Sequence, residues 1–266
     1  MVQTTSIIFM IISGLIAFGL PIAAFIVINK KLKLKIVPLL IGCAAFIIFV
    51  LILENMLHSV VLRPDVLGAI PLRVNHPVIY VLYAIFAAGI FEETARLISF
   101  TLIKNKFRGI ATGFSYGIGH GGIECILFVG LSMFSNIVLS FMINSGEIAS
   151  LGNMIPQDLI VDPLVNTAPA MFLVSGVERI FAFSFHVAAS LLVWTAVNKK
   201  GAMWLYPVAI CLHAILNIPA ASMQAGLISS IALVEVLTGV LAVAVVLITI
   251  FIVKKTQDPP KITEKF

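Results

Sequence analysis

Seven stretches of this chain are apolar for long enough to cross a lipid bilayer, and that leaves the backbone few choices. A helical span needs about 20 residues, and the runs fall at 6–28, 36–60, 78–103, 110–143, 168–197, 202–221 and 227–253. Inside lipid every N–H and C=O must be paired within the protein, so only helices and closed barrels cross. None of these runs alternates polar and apolar residues as a barrel strand does. The expectation is an all-α polytopic transmembrane helix bundle with seven spans. Composition agrees: 61% of residues are hydrophobic and 11% charged, against about 25% charged in soluble domains. The mean hydropathy is +1.14. The chain reads as one integral membrane domain over 1–255, followed by a polar cytoplasmic tail over 256–266.

The basic residues orient this bundle. Lys30, Lys31, Lys33 and Lys35 follow the first run, and Lys104, Lys106 and Arg108 follow the third. Lys199 and Lys200 follow the fifth, and Lys254 and Lys255 follow the seventh. Cytoplasmic connections carry the excess of Lys and Arg, so the N-terminus is expected outside and the C-terminus inside. The connections 62–77 and 144–167 then face outward. The net charge of +5 is spent between spans, so the expected surroundings are a bilayer, in a multi-pass cell-membrane protein, and not nucleic acid. Cys43, Cys125 and Cys211 lie in apolar stretches without CxxC spacing, which points to packing.

Four of the apolar runs contain groups that lipid should exclude. They are Glu92-Glu93-Thr94-Ala95-Arg96, His120 with Glu124, Arg179 with His186, and His213 with Asn217. An ionisable side chain in a span costs a few kcal/mol or more, so such groups face one another or a wet cavity. Spacings of three, four and seven keep each set on one helix face. Counted from the cytoplasmic ends at about 1.5 Å per residue, Glu93, His120, His186 and His213 all lie roughly 15–18 Å deep. Residues far apart in sequence thus share one level, which is the expectation of a single site.

Two acids and three histidines at one depth suit the activation of water. A Glu can take its proton, with or without a metal that lowers the pKa of the water. His and Asn can stabilise an oxyanion, and His with Glu can hold a catalytic zinc with an open position. The reaction class is hydrolysis of a peptide or other acyl bond within the membrane. HExxH is absent, and no run has an Asp in its interior, so the common zincin and two-aspartate arrangements do not apply. Gly113-Phe114-Ser115-Tyr116-Gly117 matches GxSxG, but that motif needs a strand-to-helix elbow; in a span it reads as close helix packing. The same acids and imidazoles would also serve a proton- or ion-coupled transporter, or remain in a non-catalytic binding or immunity module of the same fold.

At these residues the chain resembles the YhfC-type intramembrane metalloproteases, which are related to PrsW-like proteases and to the CAAX prenyl endopeptidase and bacteriocin-processing (self-immunity) superfamily. Glu92, Glu93 and Arg96 match the Glu-Glu motif with its basic residue as EExxR, and His213 with Asn217 matches His-x-x-x-Asn. Arg179 and His186 resemble the penultimate element, and His120 and Glu124 occupy the span after the Glu-Glu helix. The resemblance covers residues 78–217. EExxR is one residue shorter than the EExxxR of the prenyl endopeptidases, and Tyr116 and Ala182 replace the Phe of FxxxH, which favours the YhfC-type branch. The resemblance implies an intramembrane endopeptidase acting on a membrane-associated polypeptide. By that resemblance Glu92 or Glu93, with Arg96 beside them, would activate water, His120 or His186 would assist or ligate a metal, and His213 with Asn217 would bind the oxyanion or the metal. Glu124, four residues after His120, would orient a His or join His120, His186 and His213 as a ligand, with zinc the expected divalent ion.

Overall fold

The computed structural model describes residues 1–150 and 160–256. Among them the regular structure is entirely helical. Seven helices are long and apolar enough to cross a membrane: α1 (Thr4–Leu32), α2 (Ile36–Val61), α3 (Pro77–Ile103), α4 (Ile110–Ser145), α5 (Pro169–Asn198), α6 (Leu205–Gln224) and α7 (Ile231–Thr256). Each coincides with an expected span. Short helices Pro71–Asn75, Glu147–Ser150 and Asp162–Asn166 lie in the two longer connections. Part of the 144–167 connection and the expected tail beyond residue 256 fall outside the described residues.

Helix α5 is the hub. Of its most apolar window 61% is buried, against at most 44% for any other span, because it packs on α1, α3, α4, α6 and α7. A lipid-facing helix buries one side only; a central one must be apolar and small all round. Ala188, Ala189, Leu192 and Val193 of α5 are accordingly buried. Helices α4 and α5, at 36 and 30 residues, are long enough to call for tilt, kinks or unwound ends. Helix α4 does carry a π-helical stretch, Ile126–Gly130, but α5 runs unbroken from Pro169 to Asn198. At about 1.5 Å per residue its length exceeds a core about 30 Å thick, and no Gly or Pro inside it is needed to absorb the excess. A second π-helical stretch, Ile47–Glu54, interrupts α2.

Glycines let α2 and α4 touch backbone to backbone. A Cβ on Gly119 would fall on the carbonyl of Leu39, and one on Gly42 on the carbonyl of Tyr116. The Cys43 thiol donates to the Gly119 carbonyl at 3.2 Å. This close crossing seats His120, the next residue, at 0% exposure. The stretch Gly119-His120-Gly121-Gly122 is therefore intact helix, not an unwound break. Substituting Gly119 with Ala should lower thermal stability in detergent by about 1–3 kcal/mol, the cost of overpacking a tight interface. An unchanged melting temperature would show that α2 and α4 are not held this closely.

The basic ends meet on one face of the bundle. Lys35 Nζ donates to the Arg108 carbonyl at 3.1 Å, and Lys199 Nζ to the Thr256 carbonyl. The GxSxG serine lies at this same end. Ser115 Oγ donates to the Ala111 carbonyl at 2.7 Å and accepts from the Lys35 backbone N–H at 2.8 Å. It is a packed helix-terminus group, as the packing reading expects.

Candidate active site

Helices α3, α4, α5 and α6 each deliver one face of polar residues to the centre of the bundle. On α3, Glu92 and Glu93 project toward different partners because adjacent helical residues point about 100° apart. Glu93 is 0% exposed and Glu92 7%. Arg96, also 0% exposed, lies one turn along. Its Nη1 donates to Glu93 Oε1 at 2.6 Å, its Nε donates to Ser190 Oγ at 3.2 Å, and its Nη2 donates to His186 Nδ1 at 2.7 Å. A guanidinium has donors only, so it holds His186 Nδ1 as an acceptor. Buried charges persist when paired and hydrogen-bonded, and this network meets that condition for Arg96 and Glu93.

Glu93 Oε1 also accepts from His213 Nδ1 of α6, at 2.8 Å. That contact fixes the His213 ring and leaves Nε2 3.6 Å from Glu92 Oε1. The other Glu92 oxygen, Oε2, lies 2.9 Å from His120 Nε2, 3.5 Å from His186 Nδ1 and 3.6 Å from Arg96 Nη2. Glu92 is thus the carboxylate on which three histidines converge. Aromatic rings enclose them. Phe46 packs edge-on against His120 with centroids 5.2 Å apart, Tyr116 stacks on His120 at 5.8 Å, and Phe185 meets His213 edge-on at 4.9 Å.

A cavity of about 560 Å³ opens above this cluster between α5, α6 and α7. Glu92, His186, His213 and Asn217 line it, whereas Glu93, Arg96 and His120 lie behind its wall. Glu124 of α4 borders the cavity and is bound from two sides. Its Oε1 accepts from Arg179 Nη1 at 2.7 Å, and its Oε2 contacts His186 Nε2. Arg179 Nη2 also donates to Glu178 at 2.7 Å. Glu235 of α7 lines the same cavity beside Glu178 and Arg179.

The eight residues expected from the sequence therefore gather at one place, but in distinct positions. Glu92, Asn217, His213 and His186 face the cavity. Glu93 and Arg96 form a sealed layer beneath them. Of the four expected ligands, His120 and His186 join Glu92 in a group whose donor atoms all lie within 4.8 Å of one another. Glu124 is held by Arg179 and His186, and His213 by Glu93. Two imidazoles and a carboxylate are the donor set of a catalytic divalent-metal site, and the adjoining cavity supplies space for a further ligand. The donor types fit such an ion, which would replace one of the hydrogen bonds that now occupy both His186 nitrogens.

Two participants were not legible in the sequence. Ser190 is an ordinary helix serine by composition, yet its Oγ donates to the His186 carbonyl at 2.7 Å and accepts from Arg96. Its four-residue spacing from His186 was the available signal. Glu54 reads by position as a solvated residue near the outer end of α2, but it is 6% exposed, 3.3 Å from His58 Nε2. His58 Nδ1 in turn meets the Tyr83 hydroxyl at 2.7 Å. The π-helical stretch ending at Glu54 rotates that residue inward, a register change with no sequence mark.

A family model described as YhfC intramembrane metalloprotease matches residues 16–238. A protein of Bacillus subtilis (strain 168), described as uncharacterized membrane protein YhfC, is 35% identical over 247 residues, covering 91% of this chain and 94% of its own. No solved structure matches the chain significantly. A multi-pass helical membrane protein whose spans converge on buried Glu and His residues, matched across most of its length, belongs to the YhfC intramembrane metalloprotease family.

Proposed function

We propose that the protein is an endopeptidase that hydrolyses a peptide bond of a membrane-associated polypeptide, with Glu92 activating the water. The observation that carries this reading is the position of Glu92. Among the described residues it is the one carboxylate that both meets three histidines and opens onto the cavity.

The roles follow from the contacts. The 3.6 Å between Glu92 Oε1 and His213 Nε2 is beyond direct hydrogen bonding, and both groups line the cavity, where a water beside them can hydrogen-bond to each. Glu92 takes a proton from that water as its oxygen attacks the peptide carbonyl, and returns it to the departing amine. Glu93 positions His213 through Nδ1, so that Nε2 keeps its aim. Asn217, one turn beyond His213 and open to the cavity, supplies an amide N–H to the developing oxyanion. Arg96 neutralises Glu93 and holds the His186 ring. Glu92, His120 and His186 would hold a divalent metal, zinc by its donor preference. Such an ion supplies Lewis acidity and a lower pKa for bound water. The cavity opens at the end of the bundle opposite the basic residues, so with those residues cytoplasmic the substrate enters from the outer half of the membrane.

The test is reconstitution in proteoliposomes with single-span polypeptides, followed by mass spectrometry of fragments and metal analysis of the purified protein. The expected result is a new N-terminus within the spanning segment. About one divalent ion should be bound per chain, and it should be lost from His120→Ala and His186→Ala protein that remains monodisperse. Electrogenic ion flux without any fragment would assign these residues to transport instead.

A further inference from the structure

The catalytic cavity is half of a larger feature. A second cavity, about 450 Å³, lies on the other side of α6, walled by His58 of α2, Tyr80 and Ala84 of α3, and Phe128 of α4. The two cavities share five lining residues: Glu124, Arg179, Asn217, Ala220 and Gln224. Residues of α7 line only the first and residues of α2 only the second, and Arg179 with Glu124 is among the side chains common to both.

Building on the endopeptidase reading, we propose that the two cavities are one passage for an extended polypeptide, and that Arg179 is the residue that positions its backbone there. Three observations carry this. First, Arg179 is 8% exposed, and its Nε is buried with no hydrogen-bond partner, although both terminal nitrogens are paired. A buried unsatisfied donor costs about 1–3 kcal/mol, and a carbonyl entering the passage satisfies it once the Arg179 side chain turns toward it. Second, Glu124 and Glu178 already balance the arginine charge, so the ligand it takes is a neutral acceptor and not an anion. Third, Asn217 and Gln224 line the same wall. Gln224 accepts from the Tyr80 hydroxyl at 3.0 Å, which fixes its carbonyl oxygen and leaves the amide N–H₂ toward the passage. Amide and guanidinium donors recognise backbone carbonyls best where the substrate is not helical, because a helix pairs most of its own. The substrate class is thus a chain with an extended segment long enough to reach both cavities.

Ala84 tests this without disturbing an ion pair. It lines the second cavity and not the catalytic one, so Ala84→Phe blocks the far half of the passage and leaves the first cavity open. Two substrates are compared: a long apolar peptide bearing donor and quencher at its ends, and a dipeptidyl aminocoumarin that fits the first cavity alone. Ala84→Phe is expected to lower kcat/KM for the long peptide by about tenfold or more, through KM, with the short substrate within about twofold. Equal losses on both substrates, or none on either, overturn the passage. Binding of the long peptide by fluorescence anisotropy is read separately in Glu92→Gln protein. There Ala84→Phe, and Arg179→Lys, which keeps the charge but removes the Nε donor, should each weaken it by about tenfold, whether or not the wild-type protein cleaves. Unaltered binding overturns the passage, whereas binding without any cleavage by wild type overturns only the endopeptidase reading. If Ala84→Phe fails to fold, Ala84→Leu serves as the smaller block, with the same expected split.

Discussion

Replacing Glu92 with Gln is expected to lower peptide hydrolysis by roughly 10²–10⁴-fold, the usual contribution of a general base, while the bundle stays folded. Gln keeps an acceptor oxygen for His120 Nε2, now 2.9 Å from Glu92 Oε2. It also spares Arg96, whose closest carboxylate contact is with Glu93 at 2.6 Å rather than Glu92 at 3.6 Å. What is lost is the ability to accept a proton and the anionic ligand that Glu92 would give a metal, so ion content is read on the same protein. Substrate binding should survive, so the change appears in kcat and not KM.

Glu93→Gln should behave differently, and the contrast is what makes the assignment testable. Glu93 is 0% exposed and does not reach the cavity. Its one oxygen Oε1 serves Arg96 and His213 together. Loss of the charge therefore leaves a buried guanidinium undercompensated and weakens the hydrogen bond that aims the His213 ring. The Glu93 variant is expected to lose both activity and thermal stability, the Glu92 variant activity alone. Kinetic assays and melting curves on the two purified variants check this. Wild-type activity in Glu92→Gln protein would remove Glu92 as the base.

The sequence revealed the depth of this site better than its internal order. Length and hydropathy alone placed seven spans, because lipid forbids unpaired backbone. The shared level of Glu93, His120, His186 and His213 followed from counting residues between charged ends. The sequence could not separate Glu92 from Glu93, since adjacent positions look alike until neighbouring helices are docked. It also missed the inward turn of Glu54, because a π-helical stretch inserts a fraction of a turn that no residue pattern announces. Glu124 shows the same limit. Its spacing from His120 suggested a ligand, but its partners, Arg179 and His186, come from α5 and depend on tertiary packing.

The largest structural effect is expected at Arg96. Replacing it with Met preserves much of the volume and apolar stem but leaves Glu93 buried with its charge uncompensated. Breaking a buried ion pair from one side costs about 3–5 kcal/mol. The figure is an upper range here, because a chain unfolded within a bilayer also finds partners for its polar groups. The loss should be partly reversed by adding Glu93→Gln. The double variant removes both charges, and an apolar or neutral replacement of a whole buried pair is far less costly than half of one. Reversible unfolding in mixed micelles would measure it: Arg96→Met least stable, the double variant intermediate, wild type most stable. If the two substitutions instead add, Arg96 and Glu93 do not share an energetic pair, and Arg96 acts mainly through His186 and Ser190, the other groups it touches. The ordering matters for function because a single arginine spans the carboxylate that aims His213 and the imidazole that faces Glu92. The layer beneath the cavity therefore sets the geometry of the residues that meet the substrate.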